Sequence, residues 1–184
     1  MKNGIEAEKQ LSDYSIAPPT SEDAAAIGPM HLQSWLETCQ NSELGVDEDW
    51  IKNSVGYIAD DSGTEFRREL FKRVAEGDPD IFYRVAKDEH GDVVGFVMAT
   101  KTGEPNRSNN LEALYLLQRA QGRGLGAELM SQALGWLGQE KPIKLGVISY
   151  NDKAIDFYKK FGFELTGVRL PFKEPVEAVE MVKR

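Results

Sequence analysis

The sequence predicts a single α/β domain layered on a mixed sheet. Three observations lead there. Two β-rich runs, IFYRVAK and VVGFVMATK, flank the turn sequence Asp88-Glu89-His90-Gly91-Asp92, which marks a hairpin. The apolar run LEALYLL is followed by the glycine-rich QGRGLG and then by apolar residues at helical spacing. A further strand–helix unit, from Pro142 through Phe161, leads into two more β-rich runs. Strands and helices therefore alternate along a chain of 184 residues, a length that suits one domain.

Taken in order, residues 1–12 are polar and read as a flexible N-terminal tail, leaving 13–184 as the domain. Tyr14 to Ala17 forms a short strand stopped by Pro18-Pro19. Thr20 with Asp23 three residues later starts a helix that turns Ala24, Ile27, Leu32, Trp35 and Leu36 inward, and Gly28-Pro29 is a place for it to bend. Asn41 to Asp61 reads as a long polar segment. Ser62-Gly63-Thr64-Glu65 has capping-box spacing ahead of Phe66, Leu70, Phe71 and Val74. The hairpin follows, then the polar loop GEPNRSNN and LEALYLL as a buried strand. The helix after QGRGLG places Leu125, Leu129, Met130, Ala133, Leu134 and Leu137 on one side. Pro142 to Ser149 is the next strand, and Asn151 caps a helix that Gly162 terminates. FELTG and AVEMVKR close the order β-α-α-β-β-β-α-β-α-β-β as an antiparallel pair.

Composition removes several functional classes. The chain is 41% hydrophobic and 28% charged, with no apolar run long enough to cross a membrane. Its opening, MKNGIEAEKQLSDYS, lacks the apolar stretch of a secretory signal. Cys39 is the only cysteine, so no intramolecular disulfide forms; this fits a reducing cytoplasm. A net charge of −8 argues against DNA or RNA binding, which needs a basic face. His31 and His90 are far apart, and HExxH, cysteine clusters and acidic calcium loops are missing, so no metal is expected.

QGRGLG carries the chemistry. Helix N-termini present unpaired N–H groups, and glycines leave room for a phosphate to reach them. Arg119 and Arg123 are nearby cations. A plain strand-to-helix turn would use the same glycines. The P-loop string is absent. The dinucleotide spacing G-x-G-x-x-A fits Gly122, Gly124 and Ala127. However, the acidic residue that motif needs about 20 positions on is Glu140, which precedes the next strand. A third pattern, Gln/Arg-x-x-Gly-x-Gly/Ala, is matched by Gln121, Gly124 and Gly126. Spacing alone leaves the turn, the dinucleotide loop and this third pattern open.

The neighbours of the third pattern extend it. With LEALYLL before it, NDKAIDFYKKFGF after it and MHLQSWLETCQNSELG near the front, the chain resembles the GNAT superfamily of acyl-CoA-dependent N-acetyltransferases. It departs at Gln118, where many members have proline, and across Asn41–Asp61. The resemblance implies a mixed, mostly antiparallel central sheet with helices on both faces and two central strands that splay apart. It implies that acetyl-CoA lies in the splay, against the backbone of Leu114, Tyr115 and Leu116. Main-chain N–H groups of Gln121, Gly122, Arg123, Gly124, Leu125, Gly126 and Ala127 then hold the pyrophosphate. An N–H near Leu116 polarises the thioester, and Asn151 adds a CoA contact to its capping role. The implied reaction is direct acetyl transfer to a primary amine in a ternary complex. Tyr158 matches the family's tyrosine that protonates the departing sulfur, with a packed aromatic as its plainer role. Glu112, His31 or a water removes the ammonium proton, and Trp35 and His31 line the acceptor site. Cys39 reads as a small buried residue. A non-catalytic CoA sensor and, less favoured, a dinucleotide-dependent enzyme stay open as alternatives. The acceptor is a small-molecule or peptide amine, and a homodimer is left open.

Overall fold

Helices pack on both faces of a single sheet. In the computed structural model, which describes residues 11–104 and 106–184, the elements are β1 (Ser15–Ala17), α1 (Asp23–Thr38), α2 (Glu48–Val55), α3 (Asp61–Ala75), β2 (Ile81–Lys87), β3 (Val93–Thr100), β4 (Asn109–Leu116), α4 (Leu125–Leu137), β5 (Ile143–Ile148), α5 (Asp152–Lys160), β6 (Glu164–Pro171) and β7 (Glu177–Lys183). The strands form one sheet in the order β1-β2-β3-β4-β5-β7-β6. Residues 1–10 of the expected tail lie outside the described residues, and Leu11–Asp13 makes a 3-10 turn.

Neighbouring strands are antiparallel except β4 and β5. That parallel pair meets only at Asn109–Ile143 and Asn110–Lys144. Beyond those two rungs the strands part, so the sheet is split at its centre. The alternation of β2 and β3 explains the layers. Tyr83, Val85 and Phe96 join Ala24 and Ile27 of α1 and Leu70 and Phe71 of α3 on one face. Phe82, Ala86 and Val97 join Leu125, Leu129 and Met130 of α4 and Ile155 of α5 on the other. Each large side chain buried this way stabilises the fold by about 1.5–3 kcal/mol. This is the expected mostly antiparallel sheet with helices on both faces and splayed central strands.

Local chemistry sets the helix ends. The Asp23 carboxylate accepts from the Thr20 N–H (2.7 Å) and hydroxyl (2.9 Å), and Lys87 pairs with it at 2.6 Å. α1 runs through Gly28-Pro29 as one helix. A Cβ at Gly28 would sit 2.5 Å from the Arg67 guanidinium and 2.6 Å from the Ile58 carbonyl. Arg67 is buried and donates to the carbonyls of Ala24 and Ile58, each at 2.7 Å, which ties α1, α3 and the turn between α2 and α3 together.

Two expectations need correction. The polar segment 41–61 contains a helix, α2, capped by the Asp47 carboxylate on the Trp50 N–H (2.8 Å). Ile51 and Val55 bury its inner side against Trp35 and Val46. α3 begins earlier than its capping-box pattern indicates. Asp60 is the cap, accepting from the Gly63 N–H at 2.8 Å, and Ser62 only donates its hydroxyl to Asp60. A carboxylate two residues upstream outcompetes the serine hydroxyl for the orphan helix N–H groups.

Candidate active site

The gap between β4 and β5 opens into a cleft of about 1010 Å³. It is lined by α1, β4, β5 and the end of β6, and by the turn before α4 and α5. The β5-facing backbone of Leu111–Leu116 has no strand partner, because pairing with β5 ends at Asn110. Unpaired backbone of this kind takes an extended amide-bearing ligand as an added strand. Leu114, Tyr115 and Leu116 all line the cleft along that stretch.

β4 also carries a bulge. Met98 pairs with Ala113 and Ala99 with Leu111, which leaves Glu112 as the extra residue. The bulge keeps Glu112 out of the core, exposed in the cleft wall, with its carboxylate accepting from the Thr100 hydroxyl at 2.6 Å. Bulges re-aim side chains in this way beside active sites.

After β4 a 3-10 turn, Gln118–Ala120, leads into the glycines. Gly122 (φ 75°) and Gly124 (φ 82°) are left-handed, a conformation that costs other residues about 1–2 kcal/mol. A Cβ added to either would meet nothing within 4 Å, so both border open space. Gly126 serves differently: its Cβ would lie 3.0 Å from Leu116 and 3.7 Å from the Phe157 ring, so it lets α4 approach β4 and α5 closely. The N–H groups of Leu125, Gly126 and Ala127 precede the first helical bond of α4, which Glu128 makes to the Gly124 carbonyl at 3.0 Å. Gln121, Gly122, Gly124, Gly126 and Ala127 line the cleft, whereas Arg123 does not and the Leu125 side chain is fully buried.

Two parts of the expected phosphate cradle are corrected. The Gln121 N–H is taken by the Gln118 carbonyl (3.1 Å), because the 3-10 turn closes on it. Arg119 points to the β2–β3 turn, where it pairs with the buried Asp88 at 2.6 Å. Asp88 also accepts from the N–H groups of His90 and Asp92, each at 3.1 Å. Burial raises the Asp88 pKa, but these bonds outweigh it and hold the carboxyl below the ordinary range. Lys153 lines the cleft beside the glycine turn. It donates to Gln121 Oε1 at 2.6 Å, and Gln121 Nε2 donates to the Leu116 carbonyl at 3.1 Å.

Asn151 caps α5 as expected, accepting from the Ala154 N–H at 3.1 Å, and lines the cleft. Tyr158 sits one helical stretch further on, buried but lining the cleft. Among the described residues its hydroxyl has no hydrogen-bond partner. Burial pushes its pKa up to about 12, so it is a neutral proton donor at physiological pH. Its ring also packs edge-on against Phe157 and Phe163.

On the α1 wall, Trp35 lines the cleft and stacks on Phe172 at 5.5 Å. His31 does not reach the cleft. It packs between Tyr115 (4.0 Å) and Phe96 (5.2 Å), with Nε2 buried and unpartnered. Burial and the nearby Arg67 charge lower its pKa to about 4, so the ring is neutral. Cys39 is buried at the cleft wall, where burial raises its pKa and keeps it a thiol. Sequence reasoning missed Lys153 and Phe172. Lys153 had a signal, since it falls in the first turn after the Asn151 cap. Phe172 had none, because its place depends on the β6–β7 connection folding back over α2. No helix of the described residues is long and apolar enough to cross a membrane. No cluster of three His, Cys, Asp or Glu among them is arranged to hold a metal.

Comparison with known proteins fits this geometry. The family model described as "Acetyltransferase (GNAT) family" matches residues 35–163. The peptidyl-lysine N-acetyltransferase YjaB of Escherichia coli is 30% identical over 118 residues, 64% of this chain and 73% of that protein. The spermine/spermidine N(1)-acetyltransferase of Bacillus subtilis is 34% identical over 85 residues, 42% of this chain and 56% of that protein. Among solved structures, the PaiA N-acetyltransferase of Thermoplasma acidophilum in complex with coenzyme A has the same fold. It superposes with a TM-score of 0.71 at 18% identity, covering 91% of this chain and 97% of that one.

Proposed function

The chain belongs to the GNAT acetyltransferase family, and on that premise we propose that it moves an acetyl group from acetyl-CoA directly to a primary amine. The observation that carries this reading is the split sheet: β4 parts from β5 after two rungs and leaves a strand of unpaired backbone facing a cleft. The glycine turn at one end of that backbone offers N–H groups and Lys153 for the pyrophosphate. The size of the cleft, its unpaired strand edge and the open space over Gly122 and Gly124 all fit an extended, phosphate-bearing donor.

In this reading the amine loses its ammonium proton to Glu112, directly or through a water. The neutral nitrogen attacks the thioester carbonyl, whose developing negative oxygen is stabilised by a backbone N–H near Leu116. As the C–N bond forms, the C–S bond breaks and the Tyr158 hydroxyl gives a proton to the sulfur. Glu112 passes that first proton to solvent, the second amine proton then leaves by the same route, and Tyr158 is reprotonated from solvent. The products are an N-acetyl amide and free CoA thiol. His31 has no part in this route: its ring packs against Phe96 and Tyr115 and does not line the cleft. The names of the relatives, a peptidyl-lysine and a spermine/spermidine acetyltransferase, support an amine acceptor.

Calorimetry with acetyl-CoA, CoA and NAD tests the donor site. Acetyl-CoA and CoA are expected to bind and NAD is not. Failure of both CoA forms to bind would overturn the reading. Binding without thiol release across a panel of amines would make the chain a CoA sensor.

A further inference from the structure

Helix α5 carries more charge and more rings than a pyrophosphate needs. Lys153, Phe157 and Lys160 lie at i, i+4 and i+7, so they share one flank of the helix. All three line the cleft, together with Phe161, whose ring meets that of Phe157 at 5.1 Å. Phe157 abuts the glycine turn, since a Cβ on Gly126 would lie 3.7 Å from its ring. Lys160 is one helical turn past Phe157, with about 5–6 Å between their Cβ atoms. The stripe therefore begins beside the turn, at Lys153, and runs past it to Lys160.

Among the cations that line the cleft, Lys160 differs from the others. Lys144 is paired with Glu180 at 2.9 Å, and Lys153 donates to Gln121 Oε1 at 2.6 Å. The Lys160 ammonium is exposed and has no ion-pair or hydrogen-bond partner among the described residues. The carboxylate one turn before it, Asp156, is taken by Lys159 at 3.0 Å. The other helix at the turn, α4, offers the opposite charge. Its first turn carries Glu128, bonded to Gln132 at 2.8 Å, and it contains no lysine or arginine. An anionic group that extends beyond the turn is therefore attracted along α5 and repelled along α4.

Resting on the acetyl-CoA reading, we propose that Lys160 receives the 3′-phosphate of CoA and selects the 3′-phosphorylated donor over its dephospho form. Coenzyme A carries two separate anionic groups, the pyrophosphate and a phosphate on the ribose 3′ oxygen. The pyrophosphate rests on the N–H groups of the turn and on Lys153. The nucleoside then runs along Phe157 and Phe161, whose rings give the base an apolar face. That course brings the 3′-phosphate to Lys160. The two lysines are seven residues apart, about 10 Å along the helix axis, and their flexible stems adjust the remaining distance. A lysine meets a phosphate as a point charge, so the preference is electrostatic and shrinks as salt rises.

The test is calorimetry at low ionic strength with CoA and with dephospho-CoA, which lacks only the 3′-phosphate. CoA is expected to bind about threefold to tenfold more tightly. Lys160→Ala should lower CoA affinity by that factor and leave dephospho-CoA affinity unchanged. Lys160→Arg should keep the preference. Lys153→Ala, by contrast, should weaken both ligands by the same factor, because both carry the pyrophosphate. Thermal melting checks that the variants fold. Equal binding of CoA and dephospho-CoA by the wild type, or an equal loss of both in Lys160→Ala, would overturn the inference while leaving acetyl-CoA as the donor. Binding of neither ligand would overturn the donor reading itself, and this inference with it.

Discussion

Replacing Tyr158 with phenylalanine separates the chemistry of the site from its architecture. The ring is buried against Phe157 and Phe163, and phenylalanine keeps those contacts. The hydroxyl has no partner among the described residues, so its loss strands no buried donor or acceptor. Stability should therefore change by less than about 1 kcal/mol. Turnover should fall by about 10²–10⁴-fold if the phenol protonates the sulfur. That fall corresponds to about 2.7–5.5 kcal/mol in the barrier. Burial raises the Tyr158 pKa to about 12, so the donor stays protonated where an ordinary phenol, near 10, would ionise. By the same linkage its ionisation takes stability from the fold only as pH climbs from about 10 through about 12. The assay is single-turnover thiol release at saturating acetyl-CoA and amine, with acetyl-CoA affinity measured separately by calorimetry. An unchanged rate, with chemistry limiting, would refute the donor role. An equal loss of acetyl-CoA affinity would show instead that the hydroxyl serves binding.

Three further outcomes follow from the same geometry. Glu112→Gln removes the proton acceptor at the β4 bulge, so kcat near neutrality should fall by about 10²-fold or more. Its rate should recover as pH rises toward the amine's own pKa, and a pH profile parallel to wild type would remove Glu112 from proton transfer. Gly124→Ala forces a left-handed φ of 82° on a residue with a Cβ, which costs about 1–2 kcal/mol in melting experiments. Its Cβ also enters the open space over the cradle, so calorimetry should show weaker acetyl-CoA binding, and normal affinity would reduce the glycines to a turn. Arg119→Ala strands the Asp88 carboxylate, whose side chain is 2% exposed, and should cost about 1–3 kcal/mol in urea unfolding. Because Asp88 titrates below its ordinary value, the stability it contributes is present above about pH 4 and lost as pH falls below that. A variant as stable as wild type near neutrality, or one with an unaltered acid limb, would contradict the ion pair's role.

What the sequence revealed depended on how local the determining interaction was. The hairpin around Gly91, the Asn151 cap and the glycine turn are each set by residues adjacent in the chain, and all three appear as expected. α2 was hidden because EDWIKNSV is short and made of indifferent helix formers; Asp47 and the packing of Ile51 and Val55 on Trp35 stabilise it. The start of α3 was misplaced because Asp60 and Ser62 both suit a cap, and only the fold shows which one faces the free N–H. Arg119 looked like a phosphate ligand because its partner, Asp88, is 31 residues away on another turn. The bulge at Glu112 is a matter of pairing register, which no stretch of β4 encodes alone. The α1 wall was least legible of all, since Phe172 meets Trp35 only after the end of the sheet folds back across α2.

The central claim is that the chain carries an acetyl group from acetyl-CoA to an amine across the split between β4 and β5. Incubating the protein with acetyl-CoA and each of a panel of primary amines, and quantifying free thiol and N-acetyl product together, tests it most directly. The two products are predicted to accumulate in equal amounts, only when protein, donor and amine are all present. Thiol that appears without amide would show hydrolysis instead of transfer, and bound acetyl-CoA that yields neither product with any amine would contradict the account.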